Sequence, residues 1–201
     1  MTAILKVDTI QDTAGNNIIN ESSDTITIGA SGDTISIPSG ATIANSGTAT
    51  GFGGDNTPAF GATMSADQNN LSDGAFTLAA FDTEVWDTDN AYTNTSSNYK
   101  FTVPSGEAGK YFITAHLMFR VDSTYQSKEL RLNKNGSFLV ENCHHLATND
   151  WRHNYSNNIS ITTVQNLSVG DYIQVYGKAV GNTWDMKQEG AYFSMHKLIG
   201  V

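Results

Sequence analysis

The chain has 201 residues, a net charge of −9 from 20 acidic and 11 basic residues, and one cysteine. This balance excludes the basic stripe that nucleic-acid binding requires, and it gives no attraction to an anionic membrane surface. One cysteine excludes a disulfide within the chain. The sequence contains no run of about 18 apolar residues, so no transmembrane helix is predicted. The start, MTAILKVDTIQD, has too short an apolar stretch for a secretory signal, so we expect synthesis in a cytoplasm without export by that route.

The aromatic residues divide the chain into two parts. Of the 20 aromatic residues (nine Phe, eight Tyr and three Trp), all but Phe52 lie from residue 58 onward. The polar segment before residue 58 has too little apolar surface to offset the entropy of ordering it. We therefore predict an extended β-rich N-terminal module over residues 1–45, a Gly/Ser/Thr-rich linker over 46–57 and a globular domain, termed the head, over 58–201.

The N-terminal module contains one phrase twice. DTITIG at 24–29 returns nine residues later as DTISIP at 33–38, and ATIA at 41–44 is a weaker echo. The alternation predicts a short strand in each phrase, closed by Gly, Ser or Pro. Two interpretations stay open: a disordered polar linker, or a shaft in which identical chains bury their isoleucines together. The predicted interchain core of that shaft comprises Ile26, Ile28, Ile35, Ile37 and Ile43.

The head shows short alternating segments separated by turn residues, which predicts an all-β domain. The clearest strand is KYFITAHLMFRVD at 110–122, with one apolar and one mixed face. Asn135-Gly136 between two alternating runs predicts a tight hairpin. Seven or more strands at this spacing predict a sandwich or jelly roll. The other predicted strands are 99–103, 159–164, 172–180 and 191–199.

Six blocks of the head resemble successive blocks of C1q/TNF-like domains. The resemblance covers about 140 residues and implies a ten-strand jelly-roll protomer that associates as a compact homotrimer, with recognition loops at its apex and flanks. It also favours packing of His116 at a subunit contact. The blocks are PAFGATMSADQN (58–69), FDTEVWDTDNAY (81–92), YKFTVPSGEAGKYFITAHLMF (99–119), LRLNKNGSFLV (130–140), NLSVGDYIQVYG (166–177) and AYFSMHKLIG (191–200).

The front end of the chain carries a second resemblance. ILKVDTIQDTAGNNII, followed by the repeated phrases, is similar to the leader of structural proteins of tailed phages of marine bacteria and cyanobacteria. In those proteins the leader precedes variable C-terminal domains on fibre-like virion components. The resemblance implies localisation in a virion, where the N-terminal module binds another virion protein. A β-structured shaft and a C1q-like head both need three chains, so the two resemblances agree.

No motif in the sequence predicts catalysis. The chain has no G-x-S-x-G, H-E-x-x-H, P-loop or dinucleotide-binding pattern, so we expect no enzyme activity and no cofactor. Cys143, His144, His145 and His153 include metal-ligand types, but their spacing matches no structural zinc site, and adjacent extended histidines point to opposite faces. We interpret residues 141–155 as a surface loop with one buried cysteine, and we predict no metal.

The segment FDTEVWDTDN places four acidic residues in one predicted loop: Asp82, Glu84, Asp87 and Asp89. Carboxylate oxygens are the ligands that Ca²⁺ prefers in proteins, but the D-x-D-x-D-G pattern is missing. A solvated acidic loop is therefore favoured over a calcium site, which remains the alternative.

A candidate ligand surface combines aromatic faces with planar hydrogen-bonding groups. Sugars bind where a ring face can stack and bidentate groups can reach the hydroxyls, and exposed Trp and Tyr are common interaction anchors. The alternative is that Trp151 or Trp184 fills an edge of the core or a trimer seam. The candidate residues are Asn149, Asp150, Trp151, Arg152, His153, Tyr155 and Trp184.

These observations together predict a homotrimeric phage virion protein, a fibre or spike whose head binds a host-surface glycan or protein. A capsid-attached decoration trimer is the structural alternative. A soluble lectin-like or TNF-like ligand module is the alternative from another class. The sequence leaves open the ligand, the host and the choice between tail and capsid.

Overall fold

The computed structural model describes residues 9–11, 13–15, 17–22, 25–29, 31–44, 46, 56–95, 98–121, 125–145 and 157–198. These residues form strands and turns and contain no helix, which confirms the all-β prediction. The chain divides into two compact units, Met1–Thr50 and Gly51–Val201. Within the described ranges there is consequently no helix long and apolar enough to cross a membrane.

The first unit contains a three-stranded antiparallel sheet, β1 (Thr9–Gln11), β2 (Asn17–Ser22) and β3 (Thr25–Ile28). β3 is the first DTITIG phrase, so the strand predicted there is confirmed. The strands predicted in the second phrase and in the echo at 41–44 are wrong for the single chain. A strand needs a neighbour for its backbone N–H and C=O groups, and among the described residues only the first phrase lies beside one.

Within its described residues, the second unit contains twelve strands in two six-stranded sheets. In chain order the strands are β4 (Ala59–Thr63), β5 (Gln68–Leu71), β6 (Thr77–Leu78), β7 (Thr83–Asp87), β8 (Tyr92–Thr93), β9 (Lys100–Thr102), β10 (Gly109–Arg120), β11 (Ser127–Lys134), β12 (Ser137–His145), β13 (Asn157–Leu167), β14 (Tyr172–Val180) and β15 (Trp184–Lys197).

The strand order of each sheet shows that the chain crosses repeatedly between them. The front sheet runs β13-β10-β15-β4-β7, with β5 beside β15, and the back sheet runs β12-β11-β14-β9-β8, with β6 beside β14. All pairings are antiparallel. Two antiparallel sheets with such crossovers form a jelly roll, as the sequence predicted.

The core lies between the two sheets, and β10 shows how the sequence specifies it. From Tyr111 to Phe119 every second side chain of this strand is fully buried while the intervening ones are half-buried, so the two predicted faces are confirmed. The ring of Phe60 stacks on those of Tyr92 and Phe101 at centroid distances of 4.5 and 5.1 Å, and Phe193 meets it edge-on at 4.9 Å. Such ring pairs add to the stabilisation from burial.

The last strand begins earlier than the sequence predicted. β15 starts at Trp184, whereas the alternating pattern indicated a start at residue 191. Trp184 and Met186 are both buried, but the exposed residues 188–190 that follow conceal this alternation in the sequence. Residues 184–190 of the segment GNTWDMKQEG were not among the predicted strands, and they belong to β15.

The predicted hairpin is confirmed, and its turn is tied to a second turn. Asn135 and Gly136 both have positive φ, 53° and 76°, as a two-residue turn between β11 and β12 requires. The Asn135 backbone N–H donates to Tyr172 O (3.0 Å), and its side-chain Oδ1 accepts from the Tyr172 backbone N–H (2.9 Å). Asp171 Oδ1 accepts from Asn135 Nδ2 (2.7 Å), and Oδ2 pairs with Lys134 Nζ (2.6 Å). The hairpin turn at Lys134–Gly136 and the turn before Tyr172 therefore form one hydrogen-bonded network.

Candidate assembly and ligand surfaces

The predicted ligand surface falls mostly outside the described residues, because Asn149 to Tyr155 lie in the range 146–156. Trp184 is the exception, and it lies in the head core with 1% of its surface exposed. Its ring is 5.5 Å from that of Phe119, and its Nε1 donates to Ser72 O at 3.0 Å. A sugar cannot stack on an indole enclosed in this way, so we interpret Trp184 as a packing residue.

The Cys143 cluster begins in a strand. Residues 141–145 are the end of β12, so the loop interpretation is wrong for them, and Cys143 is half-buried rather than buried. Cys143 Sγ lies 3.2 Å from His145 Nε2, whereas His144 Nδ1 lies 3.3 Å from the Tyr125 hydroxyl. Burial, with Glu129 nearby, raises the pKa of the Cys143 thiol. Within the described ranges no group of three or more His, Cys, Asp or Glu residues could hold a metal ion.

The acidic segment is also part of a sheet. Residues 83–87 form β7 at the edge of the front sheet, so their assignment to a loop was wrong. Asp82 accepts hydrogen bonds from the backbone N–H and the Oγ of Ser65 (2.7 and 2.6 Å). Asp87 Oδ2 accepts from the backbone N–H of Tyr92 (2.8 Å). These carboxylates fix chain segments to one another, and they do so without converging on a common point.

The outer face of the front sheet carries a row of aromatic and apolar residues. The register places Phe112 opposite His196 on one side and Val164 on the other, and His116 opposite Tyr192. The Phe112 and His196 rings stack at a centroid distance of 5.2 Å. Between Phe112 and His116, the facing positions on β10, β13 and β15 include no Asp, Glu, Lys or Arg. We call this surface the front face.

A glycine lets the front face continue to the sheet edge. A Cβ atom on Gly61 would lie 2.6 Å from Tyr192 Oη and 2.8 Å from Trp86 Nε1, closer than side chains tolerate. Both side chains therefore cover the backbone of β4 where only glycine fits. Trp86 remains 41% exposed, which is unusual for so large an aromatic residue in a head with a well-filled core. The sequence does not reveal this role of Trp86, because the surrounding acidic residues predict a solvated loop there.

The outer face of the back sheet is different in kind. The Arg131 guanidinium lies 3.6 Å from the ring centroid of Phe76 and pairs with Glu141 at 2.6 Å. Lys178 pairs with Glu129 beside them. These charges are already partnered within the chain, whereas the front face carries aromatic residues and no Asp, Glu, Lys or Arg between Phe112 and His116. Of the two outer surfaces, the front face is therefore the one suited to burial against another protein.

The first unit carries a second apolar surface. Register places Ile10 opposite Ile19 and Ile19 opposite Ile28, so three isoleucines cross the small sheet in one row. Ile26 lies two residues from Ile28 on the same strand, hence on the same face, and is 68% exposed. Ile35, Ile37 and Ile43 are exposed as well. The predicted shaft isoleucines are thus uncovered in the single chain, and their burial between chains remains a prediction.

Comparison with solved structures identifies the fold of the head. Murine APRIL, from a crystal structure at pH 8.0, superimposes with a TM-score of 0.51 and 14% identity over 70% of this chain and 98% of that one. An Eiger TNF from S. frugiperda gives 0.48 and 14% over 70% and 91% of the two chains. The globular domain of zebrafish complement 1qA gives 0.46 and 16% over 71% and 98%. No protein-family model and no curated sequence matches the chain.

The superposition and the strand order together define the fold of the head. The likeness to APRIL, the two antiparallel sheets and their crossovers show that the head has a jelly-roll fold like that of APRIL. At 14% identity this likeness concerns the fold alone.

Proposed function

We propose that the protein is a homotrimeric recognition module whose heads associate through the front face. The observation that supports this most directly is the row of aromatic residues Phe112, His116, Tyr192 and His196, with no Asp, Glu, Lys or Arg between them and with Trp86 at its edge. Water is a poor environment for such a surface, and a symmetric assembly of identical chains would remove it from water. C1q/TNF-like domains associate as trimers, which favours three copies over two.

Within this assembly, His116 is a contact residue. It is half-buried on its own strand and stands opposite Tyr192, and this position agrees with a role at a subunit contact. No reaction is proposed for the head, because the proposed role needs binding surfaces alone.

Light scattering on the full-length chain tests the trimer. We expect three times the monomer mass at micromolar concentration. Phe112→Lys should reduce it to the monomer mass, because an ammonium group would be buried without a partner in the interface. Phe138→Lys is the matched control, since Phe138 is 63% exposed on the back sheet and its substitution should leave a trimer. A monomeric unmodified chain, or a monomeric control variant, would contradict the proposal.

The more specific part of the proposal is a virion location and a host-surface ligand. Its support is the N-terminal resemblance to tailed-phage structural proteins and the aromatic and polar composition of residues 149–155. In this role the N-terminal module attaches to another virion protein, and the trimeric heads present their loops to a host glycan or protein as a fibre or spike.

Binding of the full-length trimer to a glycan array and to whole bacterial cells tests this role. We expect binding that Trp151→Ala abolishes while light scattering still shows a trimer. If instead the protein binds no cell and antibodies label capsid faces in electron microscopy of purified particles, the decoration role is correct. Binding to an animal-type receptor, without labelling of virions, would favour the soluble ligand module that the APRIL-like fold also supports.

A further inference from the structure

Two nearly identical phrases of the N-terminal module have different structures. Residues 25–28 (TITI) form β3, whereas residues 34–37 (TISI), nine positions later, form no strand. Thr and Ile favour strands in both phrases, and the one internal difference, Ser36 for Thr27, changes β-propensity only slightly. Intrinsic preference therefore does not explain the difference.

The presence of a neighbouring strand does explain it. β3 pairs with β2 in register, from Ile19 opposite Ile28 to Ser22 opposite Thr25. By contrast, the described residues provide no backbone hydrogen-bond partner for residues 34–37. Both phrases alternate isoleucine with a hydroxyl residue, as a strand with one buried face requires. Residues 34–37 thus have the sequence of a strand and have no paired strand among the described residues.

The three-stranded sheet of the first unit has an unpaired edge against which such a strand could pair. β3 is at the end of the order β1-β2-β3, so among the described residues its second edge is unpaired. All four of its residues are exposed. The row of Ile10, Ile19 and Ile28 crosses the sheet with no layer of described residues above it. Unpaired edges and uncovered apolar faces are the two features that recruit another strand.

We infer that residues 33–38 form a strand only against another copy of this chain, pairing with the open edge of its β3. Ile35 and Ile37 extend the isoleucine row of the neighbouring sheet, so each copy supplies one strand and accepts one. The occupant is a second copy because both halves of the interface are present in every chain and carry the same Thr-Ile alternation. The inference relies on the proposed homotrimer to bring the copies close together.

Amide hydrogen exchange on the full-length chain tests this pairing. We expect the amides of residues 34–37 to exchange about 100-fold or more slower than in an unstructured chain, as in paired strands. Ile35→Ser combined with Ile37→Ser should remove the protection, because the apolar row is lost. Thr34→Ala combined with Ser36→Ala is the matched control, since it changes the polar positions of the same phrase and should preserve the protection.

Cross-linking shows whether the partner strand belongs to another chain. In a Cys143→Ser background, one chain carries Thr27→Cys and a co-expressed chain carries Ser36→Cys, so a disulfide between the two peptides joins different chains. We expect that linked peptide after oxidation. A set with Thr25→Cys in place of Thr27→Cys covers a pairing shifted by two residues.

The outcomes separate this inference from the proposed trimer. Trimer mass with protected amides and the interchain cross-link supports both. Trimer mass with residues 34–37 exchanging freely overturns the strand pairing and leaves the trimer intact. Protected amides with no cross-link in either set mean pairing within one chain, which overturns the inference. Monomer mass overturns the trimer proposal and the inference together.

Discussion

The two units of this protein use the same alternating pattern with opposite results. In β10 of the head, Ile113 alternates with half-buried residues and is itself fully buried. In β3 of the first unit, Ile26 alternates with threonine in the same way and is 68% exposed. The head covers its alternating strand with a second sheet, whereas the small sheet has no second layer among the described residues. Alternation therefore specifies which face of a strand is apolar, and tertiary structure decides whether that face is covered.

The largest expected effect comes from a matched pair of substitutions, one in each unit. Ile113→Ala should lower the free energy of unfolding of the head by about 3 kcal/mol, because it opens a cavity in the core. Ile26→Ala should change it by less than about 0.5 kcal/mol, since Ile26 lies in the first unit and its truncation opens no cavity in the head. Urea unfolding at fixed protein concentration, followed by tryptophan fluorescence, reports on the head because all three Trp lie there. Equal losses of unfolding free energy in the two variants would contradict the difference in burial between the two isoleucines.

A smaller effect sharpens the distinction between a buried and a binding aromatic residue. Trp184→Phe should cost about 2 kcal/mol of stability, because it removes the hydrogen bond to Ser72 O and leaves a void beside Phe119. The urea midpoint of the full-length chain measures this loss. If the variant instead has unchanged stability but weaker ligand binding, Trp184 is a ligand-binding residue and not a packing residue.

The smallest expected effect concerns pH and the turn network of the head. Hydrogen bonds from Lys134, from the Ser168 backbone N–H and from Asn135 lower the pKa of Asp171 from 3.8 to about 2. In the unfolded chain the carboxyl therefore takes up its proton at higher pH than in the folded chain. Its contribution to stability is full above about pH 4 and is lost as pH falls toward 2.

Asp171→Asn should accordingly lower stability at pH 7 by about 1 kcal/mol and flatten the loss of stability between pH 4 and pH 2. Urea midpoints at a series of pH values measure both changes. Glu189→Gln is the control, because Glu189 is exposed and should leave the pH dependence as it is. An equal slope in Asp171→Asn and the unmodified chain would contradict a role for this carboxylate.

Much of the head could be predicted from local patterns. The two faces of β10, the Asn135-Gly136 hairpin and the span of β14 agree with the prediction, because alternation and turn residues act over a few neighbouring positions. The jelly roll itself came from the order of the sequence blocks. The start of β15 was missed, since its burial depends on contacts with β5 and β10, which are far away in the chain.

The candidate surfaces were less accessible to sequence reasoning. Trp86 belongs to the front face only because β7 pairs with β4 and places it over Gly61. Trp184 and Trp86 are both followed directly by an aspartate, yet one is enclosed and the other is exposed. Composition cannot separate them, because exposure depends on which strands pack nearby.

By itself, the sequence determined the all-β class, the main strands of the head, its tight hairpin and the presence of an isoleucine repeat before it. Tertiary structure alone decided which isoleucines are covered, which tryptophan is enclosed, and which of the two matching phrases is a strand. The physical reason is that side-chain alternation is a property of a few adjacent residues. Burial and backbone pairing instead require a second surface, and the local sequence does not say where that surface comes from.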